Sequence, residues 1–430
     1  MTHRTLTVRE YARLGTDCVV DTLDQAQVSG SEFDGLCEMA ARWRGQAGAH
    51  ILQVQSSRWL KLDNHVGVLE TPCGLRLEIL PKHVDGVDRH TVRQSRLLLR
   101  RMLEAAMNLP PREADEADVQ LFDHPLLEWV MHRFLQGLDH VVKRGMRRDY
   151  LRVEEERPFL RGQLDAVKQM RAAPGRGHLF NVRHDIFSVD RPENRLLKSA
   201  LKVVSATSRE AENWRLANEL LHLLDEVPAS SDIPADFRAW RRDRLMAHYQ
   251  PARPWCELVL GEQMPLALAG EARGISLLFP MEQLFERYVG TALRATLPLP
   301  FKLIEQSSRH WFCDQAGTGI FQLRPDFLIE GPGFAMLLDA KWKRLDGTNR
   351  RQNYGIDQAD FYQLFGYGHK YLGGKGEMAL IYPRTTQFLV PLVPFHFSAD
   401  LRLQVLPFDL ERAVLHWQCP FAVGPNVSTV

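Results

Sequence analysis

Two short stretches decide the fold of this chain: Arg324-Pro325-Asp326-Phe327-Leu328-Ile329, and then Leu338-Asp339-Ala340-Lys341. Gly331-Pro332-Gly333 lies between them and favours a turn. Strand side chains alternate between faces, so Asp339 and Lys341 would point one way and Ala340 the other. The pattern therefore predicts two adjacent strands that bring Asp326 and Asp339 to the same place, with Lys341 beside them.

This combination of residues indicates a particular chemistry. Two carboxylates and an ammonium at one strand end suit a hard divalent cation and an activated water, as in phosphodiester hydrolysis. We expect Asp326, Asp339 and the backbone carbonyl of Ala340 to bind Mg²⁺, with Mn²⁺ as a substitute. Lys341 would orient the attacking water or stabilise charge, and as a base it would need a lowered pKa. The simpler alternative is two aspartates on a surface strand beside a salt-bridged lysine.

A helix predicted at 280–297 supplies a candidate third carboxylate. It carries Glu282 and Glu286, which are four residues apart and share a face. Glu286 borders the apolar stripe of this helix, so we favour it over Glu282 as a metal ligand and catalytic residue. The alternative is that both glutamates are solvated.

A second helix, predicted at 358–371, follows the two strands. Gln363 and Tyr367 are four residues apart on it and share a face. We expect this pair to act in catalysis by hydrogen-bonding Lys341, a ligand water or a nucleic-acid backbone. The alternative is an ordinary helix packed on the sheet.

Composition excludes several classes of protein. The 430 residues are 45% hydrophobic and 25% charged, as in soluble globular proteins of two or three domains. The cysteines are scattered without a CxxC pair, which argues against a zinc ribbon or a disulfide framework. No signal-peptide core and no apolar run long enough to span a bilayer is present, so we expect a cytoplasmic protein without membrane contact.

The formal net charge of +1 gives no general affinity for nucleic acid. Contact with DNA would depend on local basic patches, and each one alone is more simply explained as solvated helix surface. The patches are Arg100-Arg101, Lys143-Arg144, Arg147-Arg148 and Arg241-Arg242-Asp243-Arg244.

The periodicity of the chain predicts an α/β and α+β multidomain protein in three parts. Residues 1–88 form a β-rich module, with strands at 51–55, 66–71 and 75–82. Residues 89–270 form a mainly helical middle region, with helices at 91–107, 126–142, 195–207 and 213–227. Residues 271–430 form a mixed sheet with helices, in which strands are expected at 320–323, 327–330, 336–341 and 378–382.

With these residues identified, the chain resembles the PD-(D/E)xK nuclease superfamily and, within it, the McrC family of nuclease subunits from McrBC modification-dependent restriction systems. The resemblance rests on Pro325-Asp326, Asp339-Ala340-Lys341-Trp342-Lys343, Gln363-x₃-Tyr367 and Met281-Glu282-x-Leu284-Phe285-Glu286. Arg161-Gly162-x-Leu164 and Asn194-Arg195-Leu196-Leu197-Lys198 extend it over about residues 150–385. Trp342 stands where a tyrosine is more usual.

The resemblance implies a Mg²⁺-dependent DNA endonuclease domain at 271–430 and a partner. The partner would be a McrB-like AAA+ GTPase hexamer that residues 1–270 dock and stimulate, with residues 1–88 as a partner-docking module. The substrate would be double-stranded DNA, expected to carry modified bases. The chain has no G-x₄-GK[ST] loop of its own, because Gly373-Gly374-Lys375-Gly376 has the wrong spacing.

Two other functions remain open at this point. One is a catalytically silent activator of an AAA+ NTPase, against which the intact set of Asp326, Asp339 and Lys341 argues. The other is a stand-alone nuclease of DNA repair or transposition, which would need no motor subunit.

Overall fold

The computed structural model describes residues 4–44, 51–83, 86, 88–107, 125–173, 175–176, 178–241, 244–261 and 277–417. The chain forms two compact units: Met1–Leu126 together with Gly270–Val430, and Leu127–Ala269. The N-terminal and C-terminal parts of the chain thus belong to one unit, and the finer division into three domains stays a prediction.

The N-terminal part of the first unit is β-rich, as predicted. Its first sheet has four strands in the order Thr5–Arg9, Arg76–Leu80, His65–Glu70 and Leu277–Pro280. Its second sheet has the order Gln25–Gln27, Arg13–Gly15, Trp59–Leu62 and Leu52–Val54. The last strand of the first sheet comes from far along the chain, and it leads directly into the helix Met281–Thr296.

One helix in this part, Gly30–Arg44, was not predicted. Its start carries a capping box, because Ser29 Oγ accepts from the backbone N–H of Glu32 and Glu32 Oε2 accepts from that of Ser29. The Ser-x-x-Glu spacing was therefore a usable signal for this helix.

A seven-stranded mixed sheet forms the C-terminal part, which we call the site sheet. Its spatial order is Lys302–Glu305, Phe327–Gly331, Phe334–Ala340, Gly376–Pro383, Leu401–Asp409 and Phe395–His396, with Val414–Leu415 also paired to Leu401–Asp409. Gly376–Pro383 runs parallel to both of its neighbours, whereas Phe327–Gly331 is antiparallel to both of its own. The predicted mixed α/β fold is confirmed.

Not every predicted strand lies in the site sheet. Thr318–Leu323 pairs with His310–Gln315 as a separate two-stranded hairpin. Leu401–Asp409, which lies well inside the site sheet, was not predicted.

Two helices position the polar groups predicted for the site. Met281–Thr296, which we call the glutamate helix, buries its apolar stripe, including Leu284, Phe285 and Val289. Burial of each such side chain contributes about 1.5–3 kcal/mol. Gln358–Leu372, which we call the glutamine helix, ends at Gly373, whose φ of 62° is the left-handed conformation that favours glycine.

Helices dominate the second unit, as predicted for the middle region. They are Leu126–Arg144, Ala166–Met170, Pro192–Thr207, Ala211–Leu223, Ile233–Ala239 and Arg253–Leu260, with a 3₁₀ turn at Arg244–Tyr249. A three-stranded antiparallel sheet of Asp149–Arg157, Phe180–Ser188 and Gln163–Leu164 was not predicted. Asp149–Arg157 is charged and largely exposed on both faces, so it lacks the alternation that identifies a half-buried strand.

We predict that Gly368→Ala destabilises the first unit. A Cβ at Gly368 would lie 2.7 Å from Met378 Sδ and 3.1 Å from a methyl group of Leu401, and both of these side chains are fully buried. Overpacking costs about 1–3 kcal/mol, which exceeds the gain of at most about 1 kcal/mol from better helix propensity. Urea unfolding should show a lower midpoint for the variant. In the control Gly30→Ala, the new Cβ meets nothing within 4 Å, and we expect no loss of stability.

Candidate active site

The two predicted aspartates lie side by side at one end of the site sheet. Phe327 pairs with Leu338, which places Asp326 and Asp339 next to each other on adjacent strands. Asp326 Oδ2 accepts a hydrogen bond of 2.8 Å from the backbone N–H of Ala340. Asp339 is 1% exposed, so the strand end buries a carboxyl group that most proteins leave in water.

Lys341 completes this arrangement. Its Nζ lies 2.8 Å from Asp339 Oδ2 and 3.8 Å from Asp360 Oδ1. Its backbone N–H donates to the carbonyl of Ile381 at 2.9 Å, which holds the chain in place just beyond the strand. Asp360, on the glutamine helix, was not identified from the sequence, although it precedes Gln363 by one helical turn.

Gln363 and Tyr367 connect the lysine to the other strand. Lys341 Nζ donates to Gln363 Oε1 at 3.2 Å, and Gln363 Nε2 donates to Tyr367 Oη at 2.7 Å. Tyr367 Oη donates in turn to the carbonyl oxygen of Arg324 at 3.1 Å. The glutamine helix therefore fixes both Lys341 and the chain that leads into Asp326.

Glu286 is linked to Asp326 by Gln306, a residue that was not identified from the sequence. Gln306 Nε2 donates to Glu286 Oε1 at 2.6 Å and lies 3.3 Å from Asp326 Oδ1. The backbone N–H of Gln306 donates to the carbonyl of Asp326, and its φ of 48° lies in the left-handed region. Such a backbone at a non-glycine residue is uncommon and often accompanies function.

Glu282, the alternative to Glu286, lies elsewhere. Burial raises the pKa values of Glu10 and Tyr11 in the N-terminal part of the chain, and the charge of Glu282 adds a small contribution to both shifts. Of the two glutamates, it is Glu286 whose charge raises the pKa of Asp326.

Desolvation and like charges dominate the electrostatics of the site. Burial, together with the charges of Asp339 and Glu286, raises the pKa of Asp326 to about 8. Burial also raises the pKa of Asp339, although Lys341 opposes the shift, and it raises the pKa of Glu286. A cation placed among these oxygens would relieve the repulsion and favour their ionised forms.

The electrostatic environment of Lys341 is relevant to its predicted roles. Burial lowers the pKa of its ammonium, but Asp339, Asp326 and Asp360 outweigh that effect and raise the pKa. A general base would need the opposite shift. The geometry therefore favours a protonated lysine that orients groups and stabilises negative charge.

The donor set fits a cation with few protein ligands. Among the described residues, neither Oδ1 nor Oδ2 of Asp339 has a hydrogen-bond partner of good geometry, although the ammonium of Lys341 lies 2.8 Å from Oδ2 as an ion pair. Within the described part of the chain, no three His, Cys, Asp or Glu side chains are placed to hold a metal ion. The available set is thus Asp326, Asp339 and the carbonyl of Ala340, and Mg²⁺ commonly takes one or two carboxylates and keeps several waters.

The described residues of the basic patches differ in their exposure and in their partners. Arg100 is 2% exposed whereas Arg101 is exposed, so only Arg101 of this pair belongs to the solvated helix surface expected for it. Arg101 donates to the carbonyl of Glu411. Arg148 pairs with Glu226. Arg242 and Asp243, in the last patch, lie outside the described residues.

Comparison with known proteins agrees with this architecture. A family model described as "McrBC 5-methylcytosine restriction system component" matches residues 60–383. This match begins further toward the N-terminus than the resemblance predicted. No curated protein matches the chain.

Two solved structures share the fold. One is a half-complex from a tetradecameric assembly of Thermococcus gammatolerans McrB AAA+ hexamers with bound McrC, with a TM-score of 0.70 at 19% identity over 94% of each chain. The other is the cryo-EM structure of the T. gammatolerans McrBC complex, with a TM-score of 0.52 at 20% identity over 68% of this chain and 88% of that one.

The fold and the family match together define a mixed α/β component of a restriction system. The chain belongs to the McrC family of McrBC restriction-system components. Among the described residues, no helix has both the length and the apolar character that a membrane crossing requires.

We predict that Asp326→Asn raises the melting temperature of the metal-free protein, and that the gain grows with pH. The pKa of Asp326 is about 8 in the folded protein and about 3.9 in an unfolded chain. Between these values the unfolded chain releases a proton that the folded protein retains, so rising pH favours unfolding of the wild type. Asparagine cannot ionise and escapes this effect.

Thermal unfolding in EDTA from pH 5 to pH 8 tests this prediction. The matched control is Asp357→Asn, which removes an exposed carboxylate paired with Lys343 and should change the melting temperature by a similar small amount at every pH. A difference between Asp326→Asn and wild type that stays flat or shrinks with pH would contradict the electrostatic argument.

Proposed function

We propose that this chain is a divalent-metal-dependent DNA endonuclease subunit that acts together with an AAA+ partner. The observation that carries the proposal is the meeting of Asp326, Asp339 and Lys341 at one end of a mixed sheet, with Asp339 buried. A buried carboxyl pair beside an ammonium costs stability, so a catalytic role explains its presence better than a structural role does. This arrangement supports the PD-(D/E)xK type of nuclease domain.

Asp326, Asp339 and the carbonyl oxygen of Ala340 would hold a Mg²⁺ ion, with Mn²⁺ as a substitute. When bound, such an ion lowers the pKa of a water and neutralises charge that develops on the phosphate. Glu286 lies outside this set of ligands in the described arrangement and is the candidate for a hydrogen bond to a ligand water, since Gln306 holds it toward Asp326.

The other residues of the site position groups around the reacting phosphate. The ammonium of Lys341 would orient the attacking water or stabilise the negative charge of the transition state. Gln363 accepts a hydrogen bond from that ammonium in addition to its ion pair with Asp339, and Gln363 in turn donates to Tyr367. Asp360 and the hydroxyl of Tyr382, which donates to it, complete the second layer of contacts.

The partner follows from the fold shared with a bound McrC. The T. gammatolerans structure contains McrB AAA+ hexamers with bound McrC, and its likeness to this chain extends over 94% of both chains. We infer that this chain binds a McrB-like AAA+ hexamer and stimulates its hydrolysis of GTP. The family's description as a 5-methylcytosine restriction system supports double-stranded DNA with modified bases as the substrate.

We predict that Asp339→Asn reduces DNA cleavage by at least about 100-fold, because a neutral amide binds the Mg²⁺ that stabilises the transition state much more weakly than a carboxylate does. The assay combines the purified chain with its AAA+ partner, methylated plasmid, Mg²⁺ and GTP, and measures cleavage and GTP hydrolysis in the same tube. Stimulated GTP hydrolysis should be unchanged, since the substitution is nearly isosteric.

Asp357→Asn serves as the control, because it removes a carboxylate three residues before Asp360 whose side chain, within the described ranges, makes an exposed ion pair with Lys343. It should cut DNA like the wild type. If the wild type stimulates GTP hydrolysis but never cuts methylated DNA, the chain is a catalytically silent activator of the ring. Metal-dependent cutting without any partner would identify a stand-alone nuclease.

We also predict that Lys341→Ala stops turnover and leaves metal binding nearly intact, since the lysine is not a ligand. Calorimetric titration with Ca²⁺, which should bind without supporting cleavage because its looser coordination positions the water poorly, separates the two effects. Asp326→Asn should weaken Ca²⁺ binding in the same titration. If Lys341→Ala cut DNA at the wild-type rate, the role given to the ammonium would be wrong.

A further inference from the structure

A buried glutamate of the N-terminal part contacts the catalytic segment. Glu10, which directly follows the strand Thr5–Arg9, is fully buried. Its Oε1 accepts a hydrogen bond of 2.8 Å from the indole Nε1 of Trp342, the residue after Lys341, and one of 2.7 Å from the backbone N–H of Lys82. Glu10 is therefore attached on one side to the N-terminal sheet and on the other to the end of the catalytic strand.

Trp342 makes a second contact, with the glutamate helix. Its ring packs against Phe285 with centroids 5.3 Å apart, and Phe285 packs against Phe408 of the site sheet at 5.9 Å. Phe285 immediately precedes Glu286. The indole thus lies between the segment that carries Lys341 and the helix that carries Glu286, and its only polar atom is bound by Glu10.

The glutamate helix is itself anchored to the same N-terminal sheet. The strand Leu277–Pro280 pairs with His65–Glu70, and the backbone N–H of Met281 donates to the carbonyl of Asn64 at 3.1 Å. Both halves of the candidate site, the strand end and the glutamate helix, are consequently attached to this sheet. The side chain of Glu10 connects the N-terminal sheet to Trp342, just beyond the end of the strand Phe334–Ala340.

We propose that Glu10 is a positioning residue of the nuclease site, which holds Trp342 and thereby sets Lys341 against Asp339 and the glutamate helix. The proposal rests on the nuclease function proposed above and assigns the N-terminal part a role in catalysis in addition to any docking of a partner.

The energetic cost of Glu10 supports this assignment. Its Oε2 is buried with no hydrogen-bond partner among the described residues. Burial raises its pKa to about 7, although the hydrogen bonds from Lys82 and Trp342 oppose the shift. An apolar residue would fill this position at lower cost, because an unsatisfied buried oxygen is destabilising. The hydrogen bond to Trp342 gives a reason for a carboxyl group at this position.

Two substitutions test the contact from both sides in the complete complex with the AAA+ partner. Glu10→Leu removes the acceptor, and Trp342→Phe removes the donor while keeping an aromatic ring against Phe285. Each should lower kcat for DNA cleavage by roughly 10–100-fold, as substitutions behind metal-site ligands do, with KM for DNA and stimulated GTP hydrolysis unchanged. The double variant should lose little more than either single one, because both remove the same interaction.

Conservative and matched variants separate positioning from stability. Glu10→Gln keeps an oxygen that can accept both hydrogen bonds and should restore kcat to within about threefold of wild type, well inside the loss expected for Glu10→Leu. Glu70→Leu removes another buried carboxylate of the same sheet, one paired with Arg76, and should lower the melting temperature without lowering kcat. All rates are measured well below the lowest melting temperature.

The outcomes distinguish this inference from the proposed function. If the wild type cuts DNA and Glu10→Leu cuts equally fast, the role of Glu10 is overturned and the proposed function is not. The same conclusion follows if Glu70→Leu loses as much kcat as Glu10→Leu. A wild type that does not cut under any condition overturns the proposed function and this inference together. Loss of kcat in Glu10→Leu and Trp342→Phe, with rescue by Glu10→Gln, establishes the positioning role.

Discussion

Burial of like charges at one end of the site sheet is the constraint on which the rest of the structure depends. Asp326, Asp339 and Glu286 all have raised pKa values because desolvation, and then repulsion from neighbouring carboxylates, disfavours their ionised forms. A sheet end with this composition would separate its strands or admit water unless other elements held it together. The glutamine helix does so through Lys341, and Gln306 does so between the glutamate helix and Asp326. Much of the surrounding architecture can be understood as support for this one unfavourable cluster.

The support comes from distant parts of the chain. The sheet that contains Thr5–Arg9 receives its fourth strand from Leu277–Pro280, and the glutamate helix begins at the next residue. Because strand pairing is far more rigid than a flexible linker, the N-terminal sheet and the glutamate helix share one framework. A partner bound to the N-terminal sheet would therefore contact the same sheet whose fourth strand leads into the helix that carries Glu286. The pairing of Leu277–Pro280 with the N-terminal sheet explains why the first and last parts of the chain form one unit.

The sequence predicted the centre of the site better than its periphery. Asp326, Asp339 and Lys341 follow from alternation along two strands with a turn between them, which is local information. Gln363 and Tyr367 follow from helical spacing, which is also local. Gln306 was missed because it lies outside any periodic element and its position depends on the left-handed backbone at that residue. Glu10 was missed because it is related to the site by a tertiary contact, which local sequence patterns do not show. The sheet of Asp149–Arg157 was missed because this strand carries charged residues on both faces and so lacks the alternation of apolar and polar residues.

The fourth strand of the N-terminal sheet has a consequence for the synthesis of the protein. A ribosome releases the strands Thr5–Arg9, His65–Glu70 and Arg76–Leu80 long before Leu277–Pro280 emerges, and the contact between Glu10 and Trp342 spans 332 residues. Contacts of such high sequence separation form late in folding. The strand Leu401–Asp409 completes the site sheet later still. A nascent or prematurely terminated chain therefore cannot assemble the candidate site, because the strand that completes the site sheet has not yet been synthesised.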